Sequence, residues 1–140
     1  MFTTEIRVGR LYEHRLGTLE SDEEMLALRE RGIAVMYASP RPVVVCADYR
    51  HVRFVRADLV DKFVDFLRIV GPKIERSAVL LAPDNAVFTM QMRRMVREAN
   101  FPNRRTFKSP TEVETWLADV LTADERTRLK AFFGESLPSH

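Results

Sequence analysis

Residues 42–71 constrain the fold of this chain most, because an apolar run, a polar stretch and an amphipathic helical pattern follow one another there. The apolar run at 43–47 (VVVCA) and a second one at 77–82 (SAVLLA) do not alternate with polar residues. Continuous apolar runs of this length are typical of parallel strands that are covered on both faces. Each run precedes a segment with apolar residues at helical spacing. The sequence therefore predicts two central parallel strands joined by right-handed helical crossovers.

The first forty residues predict a hairpin followed by a helix. Residues 2–8 and 11–16 have a strand-like pattern and are separated by Gly9-Arg10, which suits a two-residue type II′ turn between antiparallel strands. Ser21 stands three residues before a glutamate, as in the capping box that begins a helix. Gly32 lies on the apolar face of that helix and favours a close approach to the sheet.

The second half of the chain predicts one more strand and two more helices. Residues 104–108 can form a short strand, and both Ser109 and Thr122 begin further capping-box patterns. The last helix places Phe132 and Phe133 on its apolar side. A chain of 140 residues is typical of one domain. We therefore expect a single α/β domain with a mixed sheet of about five strands, flanking helices and an extra C-terminal helix.

Composition excludes several classes of protein. The longest apolar runs are far shorter than the roughly 20 residues of a membrane-spanning helix, and the first ten residues lack the apolar core of a secretory signal. We therefore expect no membrane span and a cytoplasmic location. The single cysteine, Cys46, lies in an apolar run and should behave as a small hydrophobic residue. Neither a phosphate-binding glycine motif nor a metal-ligand spacing is present, so we expect no cofactor and no metal.

Polar residues concentrate after the two central apolar runs. Ligands of parallel sheets bind beyond the carboxyl ends of the strands, so these residues form the predicted partner- or ligand-binding site. Asp58 and either Asp84 or Asn85 would equally serve as helix caps. His51 and Asp48 could form an acid/base pair, but no nucleophile accompanies them, and we expect a non-enzymatic protein with no catalytic residue. The predicted site consists of Asp48, Arg50, His51, Arg53, Arg56, Asp58, Asp84 and Asn85.

Positive charge is concentrated in one part of the chain. Residues 71–110 contain eight basic and three acidic residues, whereas the whole chain has a net charge of only +2. This basic patch is either a solvated surface or a site for an acidic protein, an anionic lipid head group or nucleic acid. Nucleic acid is the least favoured of these, because no aromatic residues for base stacking are interleaved with the basic ones. The patch comprises Arg93, Arg94, Arg97, Arg104, Arg105 and Lys108.

The segment VVVCADYRHVRFVRADLV resembles the STAS domain, the fold of bacterial anti-sigma-factor antagonists, and more closely its diverged STAS-like relatives of unassigned function. In that family an apolar strand ends in aspartate and is followed by Val-x-Phe-Ile/Val and then by Asp-Ser-Ser/Thr-Gly at the start of a helix. Asp48 matches the strand-ending aspartate, and Val52, Phe54 and Val55 match the hydrophobic anchors. Asp58 stands where the family carries the phosphorylated hydroxyl.

The resemblance covers most of residues 1–121, which we assign to a STAS-like domain. Residues 122–134 would be a C-terminal helix packed on the same domain, and residues 135–140 a frayed tail. Phe132 and Phe133 would either cover the sheet or, if exposed, form the contact of a homodimer.

The resemblance implies a signalling or protein-interaction module without a cofactor. Because Asp58 replaces the hydroxyl, we expect no kinase-controlled switch. Its carboxylate either caps the helix or carries a fixed negative charge where a phosphate would carry nearly two. The alternative hypothesis is a binder of a small anionic or lipid-like ligand at the carboxyl ends of the central strands, next to a methionine-lined helix.

Overall fold

A computed structural model of the chain describes residues 1–135 and contains five strands and five α-helices in that range. The α/β class and the five-stranded mixed sheet are confirmed. Of the predicted frayed tail, residues 136–140 lie outside the described residues. The strands are β1 (Phe2–Ile6), β2 (Leu11–Gly17), β3 (Val43–His51), β4 (Ile74–Leu80) and β5 (Arg104–Phe107). The helices are α1 (Asp22–Ala38), α2 (Val60–Val70), α3 (Ala86–Ala99), α4 (Pro110–Leu117) and α5 (Ala123–Phe133), with 3-10 turns at Ala57–Leu59, Gly71–Lys73 and Ala118–Val120.

The strands lie side by side in the order in which they occur in the sequence. β1 is antiparallel to β2, and β2, β3, β4 and β5 are parallel to one another. Consecutive parallel strands connected by crossovers of one hand place all their helices on the same face of the sheet. α1, α2 and α3 accordingly pack together on one face, over a core that includes Tyr12, Val45 and Phe63.

The turn between β1 and β2 differs from the predicted two-residue connection. Strand pairing ends at Ile6 with Tyr12, so Val8 belongs to the connection rather than to β1. The amide of Leu11 donates to the carbonyl of Val8 at 3.2 Å, which closes a β-turn with Gly9 at φ +56°. The prediction that this turn needs a glycine at positive φ is therefore correct, but β1 stops two residues earlier than its alternating pattern suggested.

α1 has the predicted N-cap and packs on both the sheet and α2. The Ser21 hydroxyl accepts a hydrogen bond from the amide of Glu24, whereas the Glu24 carboxylate binds the amide of Glu20 instead of closing a capping box. A Cβ atom on Gly32 would lie 2.8 Å from the ring of Phe66. Gly32 therefore allows α1 to approach a side chain of α2, and it also lies close to the sheet, because the same Cβ would be 3.5 Å from the Tyr12 hydroxyl of β2.

α4 and α5 cover the opposite face of the sheet. Their buried side chains, among them Leu117 and Phe132, enclose a second core with Leu11, Val44 and Cys46. Phe132 has no exposed surface, so it covers the sheet and is unavailable for the dimer contact that was one of the two expected roles. Phe133 is half-buried against the same core. Cys46 is buried as predicted, and burial raises the pKa of its thiol well above the usual value.

The two covering helices begin differently. α5 has a complete capping box, in which the side chains of Thr122 and Glu125 each accept an amide hydrogen from the other residue. The same Glu125 carboxylate accepts the amide of Arg10 at 2.8 Å and so ties α5 to the β1–β2 turn. The capping box predicted for α4 is wrong, because the hydroxyl of Ser109 makes no capping hydrogen bond. Pro110 does occupy the first turn of that helix as expected.

Four charged residues join α5 to β2, and we call them the C-terminal clamp: Glu13, Arg15, Arg128 and Glu135. The Glu13 carboxylate has no exposed surface and accepts hydrogen bonds of 2.8 and 2.6 Å from Arg128. Arg128 also binds Glu135, and these hydrogen bonds to the two carboxylates raise the pKa of Arg128. Arg15 donates to Glu135 and to the carbonyl of Phe132, at the C-terminal end of α5.

Candidate functional site

β3 extends three residues beyond Asp48 and divides the predicted polar site between the two faces of the sheet. Pairing with β2 continues to His51, so the residues from Asp48 to His51 belong to the strand and not to the following loop. Because side chains alternate along a strand, Asp48 and Arg50 point toward α5, whereas Tyr49 is buried among the residues of the first core. The assignment of Asp48 as a strand-ending residue is therefore wrong.

Asp48 and Arg50 form an ion pair that anchors α5. The Asp48 carboxylate is 2% exposed and accepts two hydrogen bonds from the Arg50 guanidinium, at 2.9 and 2.8 Å. This pairing raises the pKa of Arg50. Arg50 also donates to the carbonyl of Phe133 at 3.1 Å, where a cation is favoured by the C-terminal end of the helix. The two side chains thus bind within the domain, beside the C-terminal clamp.

His51 does not join Asp48. Its side chain is exposed at the end of β3, beyond an irregularity in the pairing of β3 with β2 that follows Asp48. The Asp48 carboxylate is already occupied by Arg50 and by the amide of that residue. The structure therefore does not assemble the acid/base pair that the sequence left open.

Side chains of α3 hold the backbone that follows β3. Asn85 is the N-cap of α3, as one of the predictions proposed, and accepts the amide of Phe88 at 3.0 Å. Its amide group also donates to the carbonyls of Val52 and Arg53. Further along α3, the Gln91 side chain makes two hydrogen bonds of 2.9 Å with the backbone of Val55: its oxygen accepts the Val55 amide, and its nitrogen donates to the Val55 carbonyl. A neighbouring β-strand would pair with Val55 in the same way. The loop is therefore fixed at both ends to α3.

Sequence reasoning missed Gln91, although it is central to the site. Its neighbours fit the helical apolar pattern, in which a glutamine appears as an ordinary solvent-facing residue. Only the three-dimensional placement of α3 beside residues 52–56 brings its amide group to the backbone of Val55. No pattern within α3 signals such a contact.

Asp58 pairs with an arginine and does not cap a helix. It lies in the 3-10 turn Ala57–Leu59, and neither this turn nor α2 has a side-chain cap. Instead, the Arg56 guanidinium donates two hydrogen bonds to the Asp58 carboxylate, at 3.1 and 2.6 Å. This contact lowers the pKa of the carboxyl, so Asp58 is charged throughout the neutral range. The capping interpretation is wrong, because the charge of Arg56, two residues away, offers a stronger partner than the backbone.

Exposed apolar side chains occur both in this fixed loop and on the first turns of α3. Val52 and Val55 are buried, as expected for hydrophobic anchors, but Phe54 is 43% exposed. Only two of the three residues predicted to anchor this segment are therefore buried in the core. Val87 and Met90, on the first turns of α3, are 66% and 73% exposed. Val87 lies one turn before Gln91 on the same side of the helix, which places Val87 near the pinned loop, and Met90 is exposed on the next turn. We call Arg53, Phe54, Arg56, Asp58, Val87 and Met90 the loop–helix surface.

Asp84 and the methionines of α3 differ in their exposure to solvent. Asp84 is exposed, one residue before the helix cap. Met92 and Met95 are fully buried against the first core, as expected for a methionine stripe at helical spacing. Met90 is not part of that stripe, and its exposed thioether side chain is a flexible apolar group suited to contact with a partner.

The predicted basic patch separates into two exposed groups and one buried residue. Arg93, Arg94 and Arg97 are exposed on α3, and Arg94 pairs with Glu98. Arg104 is only 4% exposed and points into the first core, so its assignment to a surface patch is wrong. The cause is strand alternation in β5, which sends neighbouring side chains to opposite faces.

Arg105 and Lys108 make up the second exposed group, near α4. The guanidinium of Arg105 lies 5.0 Å from the ring centre of Trp116, and that of Arg76 lies 5.3 Å from the same ring. A shallow groove of about 490 Å³ runs beside Trp116 and the Arg76–Asp119 ion pair. This groove lies on the α4 side of the sheet, away from the loops in which a ligand site was predicted.

The described residues contain neither a cluster of metal-ligand side chains nor a membrane-spanning helix. Within 1–135, no group of three or more histidine, cysteine or acidic side chains is placed to hold a metal ion. No helix in the same range is both long enough and apolar enough to cross a membrane.

The fold and the site define an α/β domain with a pinned, partly apolar loop beside the first turns of α3. Comparisons with protein-family models, with curated proteins and with solved structures found no match to this chain. The resemblance to STAS domains therefore rests on the sequence pattern at residues 43–60 alone and stays a prediction.

Proposed function

We propose that this protein is a cytoplasmic, non-enzymatic STAS-like interaction module whose protein partner binds the loop–helix surface. The observation that carries this proposal is the exposure of Phe54, in a loop that Asn85 and Gln91 hold in place, together with the exposure of Val87 and Met90 on α3. Exposed apolar side chains in one place on a domain are typical of docking sites. A surface that is already ordered loses little conformational entropy when a partner binds.

In this proposal the surface is not switched by phosphorylation at the position used by antagonists. Asp58 has no hydroxyl to phosphorylate, and its pairing with Arg56 at 2.6 Å largely offsets its charge. Binding would then be constitutive. Arg53 is exposed beside Phe54, and its guanidinium would contribute to the polar rim that surrounds an apolar contact.

Affinity capture with matched variants tests the proposal. The purified protein is immobilised, and proteins retained from an extract of the source cells are compared between wild type, Phe54→Ser, Arg53→Glu and Asp58→Lys. Leu26→Ser is the control, because Leu26 is 53% exposed on α1 and lies outside the loop–helix surface. A partner of this surface is retained by wild type and by Leu26→Ser and is lost with the three surface variants, whose circular dichroism spectra stay unchanged. Equal retention by all variants would refute the choice of surface.

A further inference from the structure

A small cavity lined by buried residues lies in the first core, between the sheet and helices α1 and α2. Its volume is about 20 Å³, and every residue that lines it is at most 7% exposed. Most of the lining is apolar, but four polar side chains reach it: His14, Tyr49, Ser77 and Arg104. A cavity needs roughly 10–15 Å³ to hold one water-sized species, so this one accommodates a single small guest.

Two of the side chains that line the cavity each have a buried nitrogen atom with no hydrogen-bond partner within residues 1–135: Nη1 of Arg104 and Nε2 of His14. The other groups of these side chains are engaged. Arg104 donates through Nη2 to the carbonyl of Leu67 at 3.1 Å, and Nδ1 of His14 lies 3.4 Å from the Tyr49 hydroxyl. When that hydroxyl donates to Nδ1, Nε2 carries the imidazole hydrogen. Both unpartnered atoms are then donors in need of an acceptor.

The charge of Arg104 is also not matched by a carboxylate. Its guanidinium faces the ring of Phe101 at 5.1 Å, and no acidic group of the described chain forms an ion pair with it. Burial lowers the pKa of Arg104 to about 10, which still leaves the side chain charged at neutral pH. A buried charge without a counter-charge is costly, and a bound anion would offset that cost.

We propose that this cavity binds one small monovalent inorganic anion of halide size, held by Nη1 of Arg104 and Nε2 of His14. A water molecule would fill the space but would leave the charge uncompensated, and it would bring two hydrogens of its own into a mainly apolar lining. An acceptor that carries one negative charge satisfies both free donors. This site is separate from the loop–helix surface and does not depend on the proposed function.

Bromide identifies such a site directly, because it scatters anomalously. Wild-type crystals grown with sodium bromide in place of other anions should show an anomalous peak within hydrogen-bond distance of Nη1 of Arg104. Ordinary water density there, without an anomalous peak, would overturn the proposal. This measurement needs no variant and therefore does not depend on whether a substituted protein folds.

Urea unfolding in solution provides the second test. Gluconate is replaced by bromide at constant ionic strength, with bromide at ten times the dissociation constant of the bromide site. This should lower the unfolding equilibrium constant of the wild-type protein about elevenfold. Arg104→Met should abolish this bromide effect, whereas Arg105→Met, on the neighbouring exposed position of β5, should keep it. If neither wild type nor Arg105→Met is more stable in bromide than in gluconate, the cavity holds no anion.

Discussion

Replacing Arg128 by methionine should destabilise the protein strongly, because it leaves the Glu13 carboxylate buried without its partner. Glu13 has no exposed surface, and its two short hydrogen bonds both come from Arg128. Removing one partner of a buried ion pair costs about 3–5 kcal/mol. Domains are stable by only about 5–15 kcal/mol in total, so this single change should remove a large part of the free energy of unfolding.

A double-mutant cycle separates the ion pair from the packing of the arginine stem. The proteins compared are wild type, Glu13→Met, Arg128→Met and the double variant, unfolded with urea and followed by circular dichroism and by the fluorescence of Trp116. Two apolar side chains in place of a buried pair are often neutral, so the double variant should lie within about 2 kcal/mol of wild type. Lys130→Met, on the exposed side of α5, is the control for loss of a positive charge and should change stability by less than about 0.5 kcal/mol.

The cycle can fail in two informative ways. If Arg128→Met costs no more than Lys130→Met, the clamp does not stabilise α5. If the double variant is as unstable as Arg128→Met, the loss comes from the apolar contacts of the arginine stem and not from the unpaired carboxylate.

Three further substitutions test other parts of the structure. Phe132→Ala should lower the free energy of unfolding by about 3–5 kcal/mol, since it empties a fully buried position in the second core, and a loss below 1 kcal/mol would mean that α5 does not cover the sheet. Burial lowers the pKa of His14 to about 3, so the unfolded chain binds a proton near pH 6.5 that the folded chain does not bind until about pH 3. Stability from this source is therefore complete above pH 6.5 and is lost as the pH falls, by about 2 kcal/mol at pH 5. In halide-free urea titrations at pH 7.5 and pH 5, His14→Gln should remove this loss, whereas replacement of the exposed His51 by glutamine should retain it. Gly9→Ala should cost about 1–3 kcal/mol in thermal unfolding, because alanine is strained at φ +56° and its Cβ would collide with a carboxylate of α5. Gly134→Ala, at φ −84°, should be nearly neutral in the same assay, because its Cβ would meet only the carbonyl oxygen of Ala131, at an ordinary contact distance of 3.5 Å.

The fold could be predicted largely from apolar patterning. Runs at 43–47 and 77–82 are long enough and apolar enough to require cover on both faces, and they correspond to β3 and β4 at the centre of the sheet. Boundaries were less predictable. β3 continues to His51 because β2 and α5 provide partners for its polar end, and those partners lie far away in the chain.

The candidate site was predicted less well, for a physical reason. A polar side chain near a strand end can face the core, a neighbouring helix or solvent, and the sequence alone does not distinguish these outcomes. Asp48 and Arg104 are buried, and Asp58 forms an ion pair with Arg56. Phe54 is exposed between two buried valines. Each outcome depends on a contact with a residue that no local pattern identifies.

The position of α4 and α5 on the second face has a consequence for synthesis. Leu11, Val44 and Cys46 lie in the first third of the chain, but the side chains that cover them belong to residues 110–133. One side of the sheet therefore stays apolar and uncovered on the ribosome until those residues have emerged. During that interval the nascent chain offers a surface to which chaperones or other nascent chains can bind.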